Sequence, residues 1–149
     1  MSHLFVVNVE AAIVRGQEFL IIKRAEKEVH AGGLYSLVGG KMDFDASSLQ
    51  VLEENVKREV AEEIGVALHD PLTYIHSNTF KAGDTQVLNI VFLSEHFNGL
   101  PYVKSKEEIS EVTWMDGQEI LQSSVIPTWT KNSVELSIRS LKQKRGLEQ

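Results

Sequence analysis

The stretch VKREVAEEIGV, residues 56–66, sets Glu62 three and Glu63 four positions beyond Glu59, with Arg58 directly before the first of them. On a helix, side chains three and four residues apart are neighbours, and carboxylates so placed repel unless a positive charge sits among them. Hard divalent cations take oxygen ligands, and magnesium is usually held by a few carboxylates together with waters and substrate phosphates. A cation gripped here would also take the oxygens of a phosphate ligand. Spacing alone leaves two readings open, a cation site and a solvated acidic face.

The elements that must position these residues can be read from periodicity. Leu52, Val56, Val60 and Ile64 recur every four residues and form the buried stripe of a helix that Gly65 ends. The glutamates border that stripe rather than open water. Arg58, four residues before Glu62, can brace this flank. Ser47 with Gln50 three residues later has the form of a capping box, which predicts a helix start near Ser48. The stripe, the glycine stop and a glycine-rich turn upstream, LVGGK, all weigh toward the cation site.

Around this helix the chain reads as strands. Leu4 to Val14 and Phe19 to Ile22 form a hairpin across RGQE, and a polar loop, AEKEVHAGG, leads to a strand from Leu34 to Val38. Leu72 to Phe80 and Val87 to Phe97 are strands joined by KAGDTQ, and Val112 to Met115 is a shorter one. DGQEILQ suggests a brief helix. Trp129, Val134, Ile138 and Leu141 mark a terminal helix ending in the basic KQKR, which suits its dipole. The pattern predicts an α/β fold, a mixed sheet with helices on both faces, in a single domain over residues 1–149.

Bulk properties narrow the function. With 149 residues and 42% hydrophobic content the chain can bury a real core. Without cysteine it has no disulfide framework, thiolate zinc site or iron–sulfur cluster, which suits a cytoplasmic setting. The N-terminus reads as a strand rather than a signal peptide, since Asn8 and Glu10 interrupt it, and no apolar run reaches membrane-spanning length. A net charge of −6 argues against binding nucleic-acid backbones. A small phosphate ligand is compatible with it, because a cation supplies positive charge locally. Arg24, at the end of the second strand, and Lys41, after the glycines, can hold phosphates, the first as a bidentate fork and the second as a point charge. Tyr35, Phe44 and Phe80 can stack on a base, although lone strand aromatics usually belong to the core. His30 and His76 lack a histidine partner at metal spacing, and Trp114 and Trp129 read as packing residues.

GGK followed by REVAEEIGV strongly resembles the signature of the Nudix hydrolases, the MutT-like nucleotide pyrophosphohydrolases. Arg58, Glu59, Val60, Glu62, Glu63, Gly65 and Val66 match the second half of that signature throughout. The strand order also looks like the family's α/β/α sandwich over nearly the whole chain. The first half departs. Gly40 and Arg58 stand eighteen positions apart, longer than the family's usual spacing by about one helical turn. Strict spacing from Arg58 puts neutral Gln50 where an early glutamate belongs, with Asp43 or Asp45 as substitutes. Val38 stands where proline is frequent, and Asn55 where alanine is common.

The resemblance implies hydrolysis of a phosphoanhydride bond in a nucleoside diphosphate linked to another group, with magnesium or manganese bound. It implies Glu59, Glu62 and Glu63 as cation ligands, with Gly40 as a source of backbone ligation. Glu59 and Glu62 join Arg58 in the catalytic set, Glu59 as a candidate general base and Arg58 as an orienting partner. A further carboxylate is implied from KEEISEVTW, with Glu108 or Glu111 ahead of Glu107 and Glu108 taken as a ligand. The expected partner is a small nucleotide or nucleotide derivative, with a homodimer open and nucleic acid disfavoured. The competing reading is a nucleotide- or phosphate-metabolite-binding module with little turnover, motivated by Gln50 and the longer spacing.

Overall fold

The computed structural model describes residues 4–28, 31–43 and 48–147. Phe44, Asp45, Ser47 and His30 lie outside them. The elements run β1 (Phe5–Arg15), β2 (Glu18–Arg24), β3 (Tyr35–Ser36), β4 (Val38–Lys41), α1 (Val51–Ile64), β5 (Ala67–Leu68), β6 (Leu72–Ala82), β7 (Thr85–Ser94), β8 (Phe97–Asn98), β9 (Ile109–Asp116), α2 (Gly117–Gln122) and α3 (Thr128–Leu147). Seven strands form one mixed sheet, in which β3, β2, β1, β7 and β6 follow in that order, β4 pairs with β1 and β9 with β2. β1 and β7 run parallel, and the other pairs are antiparallel.

Alternation along the strands sorts the core into two layers. Val9, Ala11 and Ile13 of β1 meet Leu20 and Ile22 of β2 on the face covered by Val56, Val60 and Ile64 of α1. Ala12 and Val14, with Phe19 and Ile21, meet Ile120 of α2 and Val134 and Leu141 of α3 on the other. Helices on both faces are therefore what the strand pattern demands.

Several boundaries differ from the periodicity reading, β9 among them, which begins at Ile109 rather than Val112. α1 begins at Val51 rather than near Ser48, and Gln50 stands at its N-cap without a side-chain capping bond. The Ser48 hydroxyl instead accepts from the Gln50 amide at 3.2 Å and donates to Glu54 at 2.8 Å, which ties it to the entry to the helix. The expected strand Leu34 to Val38 splits at Leu37, and its second half continues through Gly39 and Gly40 as β4, so these glycines lie in a strand and not in a turn. The expected strand Val87 to Phe97 ends at Ser94, and Phe97 enters a two-stranded sheet of β5 and β8.

β4 carries glycine because it lies too close to its neighbours for a side chain. A Cβ on Gly39 would strike the Val9 carbonyl oxygen, and one on Gly40 would strike the Glu59 carboxylate. At the far end of α1, Gly65 adopts φ 70°, the left-handed conformation that closes helices, and its N–H returns to Ala61 O. Gly39→Ala should therefore cost about 2 kcal/mol or more through overpacking against backbone. Gly146→Ala, with open space around it, should be neutral or slightly stabilising. Urea denaturation of both variants checks the contrast, and equal midpoints would contradict it.

Candidate active site

The acidic site is assembled from α1 and from the loop before β9. Glu59 and Glu63 lie one turn apart on α1 and are buried, with 8% and 3% of their surface exposed. The last turn of a helix leaves carbonyls unpaired, and here they capture the loop. Glu63 O accepts from the amides of Lys104 at 2.9 Å and Ser105 at 3.2 Å, and Ile64 O accepts from Tyr102 at 3.1 Å. The Ala25 amide donates to Glu108 O at 2.9 Å, fixing the other end of that loop to the end of β2. One carboxylate oxygen each from Glu59, Glu63 and Glu108 then lies within 4.8 Å of the others.

Electrostatically this cluster is short of positive charge. Burial, helped by the hydrogen bond to Glu108 and by the charges of Glu108 and Glu59, raises the Glu63 carboxyl from its ordinary 4.5 to about 9. Burial also raises Glu59, against the lowering effect of Arg58. Glu63 Oε2 is buried without a hydrogen-bond partner, an arrangement that costs free energy unless something else compensates it. A divalent cation fits this donor set, because it would satisfy the orphaned oxygen and neutralise the like charges at once.

Arg58 is the hub beside the cluster. Its Nη1 lies 3.0 Å from Glu59 Oε1 and 3.1 Å from Glu62 Oε2, and its Nη2 reaches Asn55 Oδ1 at 3.0 Å and Lys41 O at 3.3 Å. Asp43, its most distant partner at 3.7 Å, is exposed. Of the carboxylates implied as ligands, the structure gathers Glu59, Glu63 and Glu108, whereas Glu62 is exposed and pairs with the same Arg58 nitrogen as Glu59. Gly40 lies against Glu59, and Gln50 is exposed at the start of α1. Arg24 lies 3.8 Å from Glu28 and its charge lowers Glu63, while Lys41 is exposed at the end of β4.

Asn55 takes a part that its sequence position only hinted at. Its Nδ2 donates to Val51 O at 2.8 Å, and its Oδ1 accepts from the Asp43 amide at 2.9 Å as well as from Arg58. One buried carboxamide thus joins the first turn of α1, the chain leaving β4 and the arginine of the signature.

A cavity of about 550 Å³ opens beside the carboxylates. Arg24, Tyr35, Gly40, Lys41, Asp43 and Phe80 line it, and so do Glu10, Asn8, Asn78 and Asn89, which the sequence reading passed over as candidates. A signal for these four existed. Polar residues at alternate positions in apolar strands, as in VVNVEAAIV and VLNIVFL, mark a polar patch on one face of a sheet. Trp129 also lines the cavity with 49% of its surface exposed, so it is a rim residue and not the packing residue expected. Trp114 does pack, with its ring 5.6 Å from Phe97 and under Arg15. His76 bonds Ser133 at 2.9 Å.

The NUDIX domain family model matches residues 4–136. The chain belongs to the Nudix family. Its fold and this match make it a Nudix-type pyrophosphohydrolase, of the general class that hydrolyses nucleoside diphosphates linked to other groups. The crystal structure of a MutT NUDIX hydrolase from Burkholderia pseudomallei is similar over 90% of this chain and 98% of its own, with 28% identity and a TM-score of 0.76. A MutT protein from Methanosarcina mazei Go1 is similar over 95% and 99%, with 26% identity and a TM-score of 0.79. The NUDIX domain of Shewanella oneidensis NrtR, solved with ADP ribose, shares the fold at 18% identity, covering 94% of this chain and 90% of its own with a TM-score of 0.72. No curated protein matches the sequence significantly. Among the described residues, no helix is long and apolar enough to cross a membrane.

Two outcomes follow for the Nudix fold of this chain. The folded protein keeps the Glu63 proton up to about pH 9, whereas an exposed glutamate loses it near 4.5. Between those values the folded state binds more protons, so this contribution to stability is full below the window and is lost as pH rises through it. Without divalent cations the melting temperature should fall across that range, and Glu63→Gln should remove much of the fall. Identical profiles for parent and variant would contradict the assignment. Asn55→Ala should lower stability by about 1 kcal/mol, because it removes a buried carboxamide and its part-buried hydrogen bonds to Val51, Asp43 and Arg58, and urea denaturation measures that loss.

Proposed function

We propose that this chain is a divalent-cation-dependent hydrolase of a phosphoanhydride bond in a nucleoside diphosphate linked to another group, with magnesium or manganese as the cation. The observation that carries the reading is the buried, unpartnered Glu63 oxygen within the cluster of Glu59, Glu63 and Glu108. In this reading those three carboxylates hold the cation, with the Gly40 carbonyl and Glu62 as further ligands. When bound, the cation neutralises charge building on the phosphate oxygens and makes attacking water more acidic.

The remaining work falls to the chain's own groups. Glu59, raised by burial yet held by Arg58, is a basic carboxylate in a fixed position and takes the proton of the attacking water. Arg58 keeps that carboxylate oriented. Arg24 and Lys41, on the cavity wall, receive the phosphates, and the cavity accommodates a nucleotide-sized ligand. One domain spanning residues 1–149 suffices for this site.

The purified protein should turn over at least one member of a panel of nucleoside triphosphates, ADP-ribose, dinucleoside polyphosphates and nucleotide sugars, at rates on the order of 1 s⁻¹ or more. Chelation should abolish that turnover, and Glu59→Gln should lower it about a hundredfold or more. Inactivity across the whole panel, or full activity under chelation, would overturn the reading.

A further inference from the structure

Just past the end of α1, the short sheet of β5 and β8 ends in the dipeptide Asn98–Gly99. A carboxamide followed by glycine can react with its own backbone, because the glycine nitrogen closes a five-membered ring on the side-chain carbon and no Cβ shields it. The rest of the chain avoids this pairing. Asn8, Asn55, Asn78 and Asn89 each precede a β-branched residue, which crowds the next amide, and Asn132 lies within α3.

The ladder leaves the Gly99 amide open. His69 N donates to His96 O at 2.8 Å, and bonded pairs alternate along an antiparallel ladder, so Ala67 and Asn98 form the next bonded pair and the N–H of Gly99 turns away from β5. Asn98 and Gly99 are exposed, and Gly99 takes φ 107°, so water reaches the dipeptide. A second group faces the carboxamide. His69 Nε2 stands 2.5 Å from Asn98 Oδ1, and because a carboxamide oxygen only accepts, the imidazole donates and makes the adjoining carbon more open to attack. Asp116–Gly117 has the same ring-forming potential but is locked. Its glycine amide donates to Gln17 O at 2.9 Å, and the Asp116 carboxylate accepts from the amides of Gln118 and Glu119.

We propose that Asn98 is a self-modification site, converted to aspartate and isoaspartate with assistance from His69, and that the isoaspartate form loosens the segment that brings Glu108 to the acidic site. The Gly99 nitrogen bonds to Asn98 Cγ and gives its proton to solvent. The Cγ–Nδ2 bond breaks, and the nitrogen leaves as ammonia after taking a proton from solvent. Water then opens the succinimide at either carbonyl, which yields aspartate or isoaspartate without any change of oxidation state. Isoaspartate adds a methylene to the backbone at the head of the segment from Gly99 to Glu108. In that segment the amides of Tyr102, Lys104 and Ser105 bond the carbonyls of Ile64 and Glu63, and the Tyr102 ring lies against Gly65. A longer backbone at its start shifts these amides off their acceptors.

The full chain is held at pH 8 for increasing times, and peptide mapping by mass spectrometry separates aspartate from isoaspartate at each position. Both products should accumulate at position 98 ahead of every other asparagine, while Asp116–Gly117 stays unchanged. His69→Ala should slow the conversion about fivefold, the factor that one ordinary hydrogen bond is worth, and His69→Gln, which keeps an N–H donor, should recover part of the rate. Asn98→Gln should remove the modification, since its longer side chain closes a less favourable ring. Hydrogen exchange at the amides of Lys104 and Ser105 should be about fivefold or more faster in the isoaspartate form than in the parent. None of these readouts needs a cation or a substrate, so they stand apart from the hydrolase reading. Modification first at another asparagine, a rate unchanged or raised in His69→Ala, or equal exchange in the modified and parent proteins would overturn the inference.

Discussion

The arrangement turns on one electrostatic problem, the withdrawal of Glu63 from water beside two other carboxylates. A buried carboxyl that cannot share its charge stays protonated, and Glu63 does so with one oxygen left unpaired. The surroundings hold the strain in place. β4 has glycine at position 40, where Glu59 sits against its backbone. The final carbonyls of α1 clamp the loop that brings Glu108 in, and Arg58 restrains Glu59 from the other side. None of these contacts supplies the missing cationic charge to Glu63 itself, and a divalent cation would do so with oxygen-only chemistry.

Much of this was legible along the chain, where the relevant periodicity is local. The stripe of Val56, Val60 and Ile64 and the stop at Gly65 follow from helical spacing alone. The helix starts later than the capping-box pattern predicts, because Ser48 bonds Glu54 and the Gln50 amide from outside the helix. On composition GGK reads as a turn, yet its glycines answer to close approach inside a strand rather than to a left-handed backbone. Asn55 was visible only as a departure from alanine. Its three bonds connect residues twelve apart or nearer, but which acceptor meets which donor depends on the path of the chain out of β4.

The asparagines of the cavity illustrate what one-dimensional reading loses. Asn8 and Asn89 are 81 residues apart and become neighbours only through the parallel pairing of β1 with β7. A slip of one residue in that register would turn the facing side chains to opposite faces. The same sheet thus connects two kinds of surface, carboxylates anchored on α1 at one edge of the cavity and carboxamides across its floor, with Lys41 and Gly40 of β4 between them. The lining of the cavity is drawn from β1, β2, β4, β6, β7, α1 and the segment before β9, which are far apart in sequence.

The central claim, that the cluster awaits the charge of a cation, is tested most directly by the protons that move when the cation binds. Calorimetric titration of manganese at pH 7.5 in buffers of different ionisation enthalpy gives the number released. The account predicts about one proton per bound cation, because the Glu63 carboxyl must ionise to become a ligand, and it predicts that Glu63→Gln loses this release. Cation binding with no proton release, or with the same release in the variant, would contradict it.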